Sequence, residues 1–450
     1  MSKKQVILRG TLILTIAGLI SRIMGFFYRI FLSRTFGAEG IGLYQLIFPV
    51  FTICFSITTA GIETAISRTV ANRSSLHKEK ESMNILISGI LCSLILSFLC
   101  IFIVTHNSYF IANALLGDPR CEPLLKILVL TLPFASIHNC IAGYYYGKKQ
   151  SKIPALCQLI EQTFRISIVF ILYYIFTQKG LSFPLSIAVM GLILGDAASA
   201  LFAATFLRKK ETNHCFSAKD SFLFSSSAEL LTLAFPLTLN RLMINVLQSI
   251  EAVSIPAQLE LFCLDSSKAL STYGVLNGMA LPCILFPSAI TTSAAAMLMP
   301  TVAEIQATGS RHEIIRLTKK SCGLCFLLGL FCSFCFLISG RWIGTTIFHN
   351  EAAGSFIITL AWICPFLYTN TTFQSVINGL GKTKLTLFVN MIGLAIRITS
   401  VYLLIPQFGI KGYLWGLLAS QLIISIFSMI IILFLYQSAC SKHHLQYCNK

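Results

Sequence analysis

MNILISGILCSLILSFLCIFIVT, residues 83 to 105, runs for 23 residues without one charged side chain. At 1.5 Å per residue a helix of this length spans roughly 35 Å, enough to cross a hydrocarbon core about 30 Å thick. Comparable runs recur from residue 10 to residue 436. Across the 450 residues, 55% are hydrophobic and only 11% charged, with a mean hydropathy of +0.78, whereas soluble domains carry about 25% charge. Such a chain has too little polar surface for a soluble enzyme, a disordered scaffold or a secreted disulfide framework. A transmembrane barrel is excluded as well, because its strands alternate over about ten residues and these runs do not. The reading is an all-α integral membrane protein.

Breaks at charged and turn-forming residues predict twelve spans, near 10–34, 41–67, 83–105, 124–147, 154–177, 184–207, 229–254, 272–299, 321–340, 355–379, 385–405 and 412–436. The first carries Arg22 and Arg29 and has no small-residue cleavage site, so it reads as an uncleaved span rather than a signal peptide. Alternate loops differ in charge: one set, including Lys3, Arg68, Lys148, Arg208, Arg316 and Lys382, holds 22 of the 34 Lys and Arg, and the other holds 7. Cationic loops stay inside, which predicts a multi-pass membrane protein with both termini cytoplasmic. Although the net charge is +17, no basic domain is present, so nucleic acid is not an expected partner. The 16 cysteines fall mostly in apolar runs, as small buried hydrophobes. Cys322/Cys325 and Cys332/Cys335 have metal-ligand spacing but share one apolar run, so neither a metal site nor a cofactor is expected.

Half the chain repeats the other half. At a constant offset of 232, Pro133-Phe134 returns as Pro365-Phe366, Gly147 as Gly379, Arg165-Ile166 as Arg397-Ile398, and Thr69-Val70-Ala71 as Thr301-Val302-Ala303. Arg22-Ile23-Met24 resembles Arg241-Leu242-Met243 at an offset of 219. Six spans per half is an even number, so both halves share an orientation. The expected architecture is twelve transmembrane helices in two pseudo-symmetric six-helix lobes, 1–220 and 221–450, around a central cavity.

Five arginines lie inside spans: Arg22, Arg29, Arg165, Arg241 and Arg397. At about 2.5–3.5 kcal/mol each, exposing them to lipid would cost roughly 12–17 kcal/mol, so they are expected to face protein or a watery cavity. Embedded acids are fewer: Glu63, Glu161 and Asp196, with Glu251 near a span end. Glu161 stands one turn before Arg165, and a local ion pair accounts for both. Arg29 is two turns after Arg22, where snorkelling is an alternative to a site role. His138 and Asn139 read as interhelical hydrogen-bond donors. Prolines 49, 133, 236, 282, 287 and 365 mark places for kinks. An excess of arginine over carboxylate suits an anion, and guanidinium forks suit phosphate.

The run RGTLILTIAGLISRIMGFFYRIFLSRTFGAEGIGLYQLIFPVF (9–51), TTAGIETAISRTVA (58–71), FPLTLNRLMINVLQSIEAVSIPAQL (235–259) and GMALPCILFPSAITTSAAAMLMPTVAEIQA (278–307) resemble the stage V sporulation protein B-like polysaccharide exporters, relatives of the lipid II flippases. The resemblance implies alternating access by two lobes and export of an undecaprenyl-pyrophosphate-linked oligosaccharide for cell-wall or spore-cortex peptidoglycan, with no covalent chemistry. The partners it implies are that lipid-linked substrate, membrane lipids, and a coupling ion or the membrane potential. It places headgroup contacts at Arg22 in SRIMGF and Arg241 in NRLM, with a weaker match at Arg29. The candidate substrate-binding set is therefore Arg22, Arg241, Arg29, Arg165, Arg397 and Glu63. A cation-coupled multidrug exporter and a nontransporting scaffold for wall synthesis are the alternatives.

Overall fold

The computed structural model describes the backbone of residues 3–76, 78–211, 220–308 and 311–448. Among these residues every regular element is helical. The chain divides into two compact units, Met1–Val253 and Ser254–Lys450. This division falls inside one long helix, some thirty residues beyond the sequence-based lobe boundary at 220.

The first unit comprises α1 (Lys3–Leu46), α2 (Phe48–Phe55), α3 (Gly61–Ser75), α4 (Glu79–His106), α5 (Cys121–Leu128), α6 (Leu132–Gly147), α7 (Lys152–Gln178), α8 (Leu185–Glu211) and most of α9 (Asp220–Cys263). The second holds the end of α9, then α10 (Ser266–Gly274), α11 (Ser288–Thr308), α12 (Arg311–Trp342), α13 (Glu351–Ala361), α14 (Cys364–Gly379), α15 (Thr383–Phe408) and α16 (Ile410–Cys448). Among the described residues, nine helices are long and apolar enough to cross a membrane, or eleven when each of two bent pairs is taken as one span. The first of the nine, Leu12–Ser74, has 63 residues. At 1.5 Å per residue it would measure roughly 95 Å, about three bilayer cores. It is interrupted at Gly37, whose φ of 68° is open to glycine and costly for other residues. That break lies in the gap that the sequence leaves between its first two spans.

Some prolines sit where helices begin, whereas Pro236, Pro300 and Pro406 lie inside continuous helices, so the kink expected at Pro236 does not break α9. Pro133 and Pro365 occupy the first turns of α6 and α14, where an amide N–H has no intrahelical partner to lose. The chain bends by 56° between α13 and α14, and by 58° between Ser266–Leu285 and α11, around Pro287. These bends occur where the sequence places kinks.

The duplication is visible in the packing inside each unit. α6 and α14 begin and end at positions 232 residues apart, as do two five-residue π-helical turns, Ile111–Leu115 and Ile343–Ile347. Gly147 lets α6 lie so close to α3 that a Cβ there would come within 2.8 Å of the Ser67 carbonyl oxygen and of Val70 Cβ. Gly379 does the same on α11, at 2.7 Å from the Met299 oxygen and 3.0 Å from Val302 Cβ. Small residues at helix crossings permit this approach, and the same crossing is made twice. Hydroxyls tie the first unit's core: Ser136 meets Thr59 at 3.1 Å and Ser97 at 2.8 Å, and Ser93 donates to the Thr58 carbonyl. Outside the spans Arg120 bridges Asp118 and Glu39, each at 2.8 Å, and the two carboxylates hold its guanidinium above the ordinary arginine value.

Candidate functional site

Two polar groupings form inside the first unit. The first is centred on Arg165. Glu161 and Arg165 are one turn apart on α7, and Arg165 Nη2 donates to Glu161 Oε1 at 2.5 Å, with both side chains more than four-fifths buried. The local ion pair read from the spacing is therefore present. From the neighbouring helices come His138 on α6 and Asp196 on α8, both buried. One ligand atom each from His138, Glu161 and Asp196 lies within 4.8 Å of the others. From α1, buried Tyr28 and Tyr44 lie within electrostatic reach of Arg165, and Tyr44 within that of Arg29 too. Arg29 and Arg165 thus share one aromatic neighbour.

The expectation that His138 and Asn139 donate between helices needs correcting. Asn139 Nδ2 donates at 2.7 Å to the Ala135 oxygen of its own helix, because an amide with a carbonyl one turn back has a local acceptor in reach. His138 Nδ1 is buried and bonded to nothing.

The second grouping runs along α9 where it packs on α2 and α3. Arg241 Nη2 lies 3.4 Å from Thr64 Oγ1, and Glu63 is within electrostatic reach of Arg241. One turn further along α9, Asn245 Nδ2 donates to Ser56 Oγ at 2.5 Å, and a turn beyond that Ser249 donates to the Pro49 oxygen at 3.2 Å. Near the other end of the helix Arg73 reaches Glu229 at 2.7 Å and also bonds Glu81. Spacing of four residues on one helix face puts 241, 245 and 249 in one row, and α9 lays that row against the second span. Arg241 is nevertheless an exposed residue, as are Arg22 and Arg29 on α1.

The structure thus joins Arg241 with Glu63, and Arg29 with Arg165 through Tyr44. Arg22 is on α1 two turns before Arg29, and Arg397 is half-buried on α15 in the second unit. Where Arg165 has Glu161 one turn back, Arg397 has Gly393. Sequence reasoning missed Thr64, Asn245, Tyr28 and Tyr44. The i, i+4 row on α9 was legible beforehand; nothing in the sequence marks the tyrosines. The cysteine pairs 322/325 and 332/335 all lie on α12.

A helical membrane protein with repeated halves, internal arginines and proline-hinged spans has the make-up of a multi-pass transporter. The sequence pattern of the polysaccharide biosynthesis protein family matches residues 7–306, and the chain belongs to that family. It is 25% identical to stage V sporulation protein B of Bacillus subtilis over 431 residues, which cover 94% of this chain and 83% of that protein. Its fold is shared with a lipid II flippase MurJ in an inward closed conformation (TM-score 0.73, 14% identity, 94% of this chain and 87% of that one). An inward-facing multidrug resistance transporter matches equally well (TM-score 0.73, 14% identity, 95% and 98%). These are transporters and not catalysts.

Proposed function

We propose that this protein is a flippase that carries an undecaprenyl-pyrophosphate-linked oligosaccharide, of the lipid II type, outward across the cytoplasmic membrane by alternating access, for cell-wall or spore-cortex peptidoglycan. The observation that carries the reading is the presence of three arginines, Arg22, Arg29 and Arg241, on spans where embedded charge is costly, each an exposed residue rather than a core one. A pyrophosphate presents several anionic oxygens, and planar guanidinium forks bind such groups bidentately. Glu63, within electrostatic reach of Arg241, offsets part of its charge, while Thr64 Oγ1 takes the hydrogen bond. The sequence kinship with stage V sporulation protein B and the fold shared with a lipid II flippase support the same substrate class.

In this reading the twelve spans form two lobes with both termini cytoplasmic, and Arg165 and Arg397 support the lobes at equivalent positions. The shared fold with a multidrug transporter keeps cationic drugs as the second reading. A cationic substrate would be repelled by three exposed arginines, and that weighs against it. Reconstitution into proteoliposomes holding a labelled lipid-linked oligosaccharide separates the readings. Protein-dependent exposure of the headgroup supports a flippase; drug uptake without lipid movement supports the exporter, and neither supports a scaffold.

A further inference from the structure

The second span of the first half carries an irregularity that decides which side chain meets Arg241. Between α2 and α3 the helix widens into a five-residue π-helical turn, Ser56–Ala60. Such a turn takes up one extra residue and frees a backbone carbonyl from the α-helical ladder, and π-bulges are frequent at functional sites. Here the Thr58 carbonyl accepts a hydrogen bond from Ser93 Oγ on α4. Behind it the hydroxyls form a chain: Thr58 meets Thr59 at 3.1 Å, Thr59 meets Ser136 on α6 at 3.1 Å, and Ser136 meets Ser97 at 2.8 Å. Ser97 closes the chain by donating to the Ser93 oxygen at 2.7 Å. All five residues are fully buried, so their hydroxyls must find protein partners, and the turn supplies them.

The extra residue sets the helix face. At about 100° per residue, Ser56 and Thr64, eight positions apart, would stand about 80° from one another on an uninterrupted helix, while Ser56 and Glu63 would share a face to within about 20°. An uninterrupted span with Ser56 on Asn245 would therefore aim Glu63 at α9. Taking one residue out of the count reverses this: Thr64 comes within about 20° of Ser56, and Glu63 turns away. The contacts follow the second pattern. Asn245 reaches Ser56, Arg241 Nη2 lies 3.4 Å from Thr64 Oγ1, and Glu63 runs along α6, where a Cβ on Gly143 would stand 3.2 Å from its Cγ. Among the described residues no ion pair joins Glu63 to Arg241. At the offset of 232 the second half places Ala295 and Ala296 where Glu63 and Thr64 stand, and Cys325, Gly329 and Tyr368 where Ser93, Ser97 and Ser136 stand. Its span is interrupted at the matching place by the 58° bend around Pro287, and Tyr368 Oη donates to the Ile284 oxygen at 2.8 Å. An interruption is common to both halves; the hydroxyl-held turn occurs in the half where a one-residue rotation would exchange a hydroxyl for a charge.

We propose that Ser93 is a positioning residue for the substrate site: by capping the Thr58 carbonyl it holds the π-helical turn, and the turn presents Thr64 instead of Glu63 to Arg241, keeping that arginine out of an ion pair. A carboxylate takes a guanidinium fork bidentately and cancels its charge, whereas a threonine hydroxyl accepts one hydrogen bond and leaves the charge in place. The inference deepens the flippase reading, because it concerns how an arginine of the substrate set stays cationic toward its ligand. Its test reads helix register and not lipid movement, so either can fail while the other stands.

The test uses the full-length protein in a background cleared of reactive cysteines, with Arg241→Cys combined with either Thr64→Cys or Glu63→Cys and the shortest bis-methanethiosulfonate linker as the probe. The 64/241 pair is expected to cross-link several-fold faster than the 63/241 pair; equal rates, or the reverse order, overturn the register. Adding Ser93→Ala is expected to erase that preference, and Ser93→Thr to keep it. A cap that only stabilises would lower the melting temperature and leave the preference as it was, and that outcome overturns the role of Ser93. Deleting Thr59 removes the extra residue, so a regular helix then carries position 64 to the same face without a cap. Ser93→Ala together with that deletion should therefore recover the 64/241 preference, and failure to recover it contradicts the proposal.

Discussion

Replacing Gly147 with alanine tests the packing that the repeat implies. The added methyl would stand 2.8 Å from both the Ser67 carbonyl oxygen and Val70 Cβ, and 2.9 Å from Val70 Cγ1. Ordinary contact begins near 3.4 Å, so α6 and α3 must part by about 0.6 Å, the difference between those two figures. Neither obstacle is the far end of a flexible side chain: one is backbone and the other a β-branched carbon fixed to it. Overpacking of this kind costs about 1–3 kcal/mol. Gly379→Ala faces the same geometry on α11 and is expected to lose a similar amount. Gly323, in the interior of α12, has nothing within 4 Å of its virtual Cβ, and alanine there should stabilise by about 0.5–1 kcal/mol through helix propensity. Thermal unfolding of the three purified variants in one detergent measures this. If Gly147→Ala and Gly379→Ala melt like Gly323→Ala, the close crossings do not bear on stability and the structural argument for duplication loses its energetic content.

Three further outcomes are expected. Glu161→Gln leaves Arg165 buried without its carboxylate and should destabilise by about 3–5 kcal/mol, read by melting temperature; a loss below about 1 kcal/mol would mean that the pair is solvated. Arg22→Lys and Arg241→Lys should each weaken transport by roughly ten- to a hundredfold, since losing one charged hydrogen bond of a fork is worth about 1.5–3 kcal/mol; full transport at wild-type membrane levels would remove the fork role. In a background cleared of reactive cysteines, Lys179→Cys should label with an impermeant thiol reagent added to intact cells and Lys80→Cys should not, the reverse result inverting the topology.

Much of the architecture was readable in the chain because bilayer thickness and embedded charge constrain sequence so strongly. Uncharged runs such as 83–105 identify helices without reference to any partner, and the Gly147/Gly379 correspondence appears in sequence and packing alike. Reading the breaks was harder. The first two spans run on almost without a gap, and the break between them falls at Gly37, since a glycine break needs a single residue and leaves little compositional trace. Site convergence was the least legible. Glu161 and Arg165 pair within one helix, which a spacing of four reveals, but His138 and Asp196 reach them from two other helices whose rotation depends on packing. Comparing the repeats carries the missing signal: where one half keeps Asn370 with Gln421, the other has a histidine and an aspartate.

The central claim is transport of an anionic lipid-linked sugar past embedded arginines. Its most direct test is the rate at which a fluorescently labelled lipid II becomes accessible to an external quencher in proteoliposomes, with wild type and the double variant Arg22→Ala with Arg241→Ala compared at equal incorporation. Wild type should accelerate exposure over protein-free vesicles, and the double variant should return it to the protein-free rate. Equal rates with wild type and without protein, or a double variant as fast as wild type, would contradict the account.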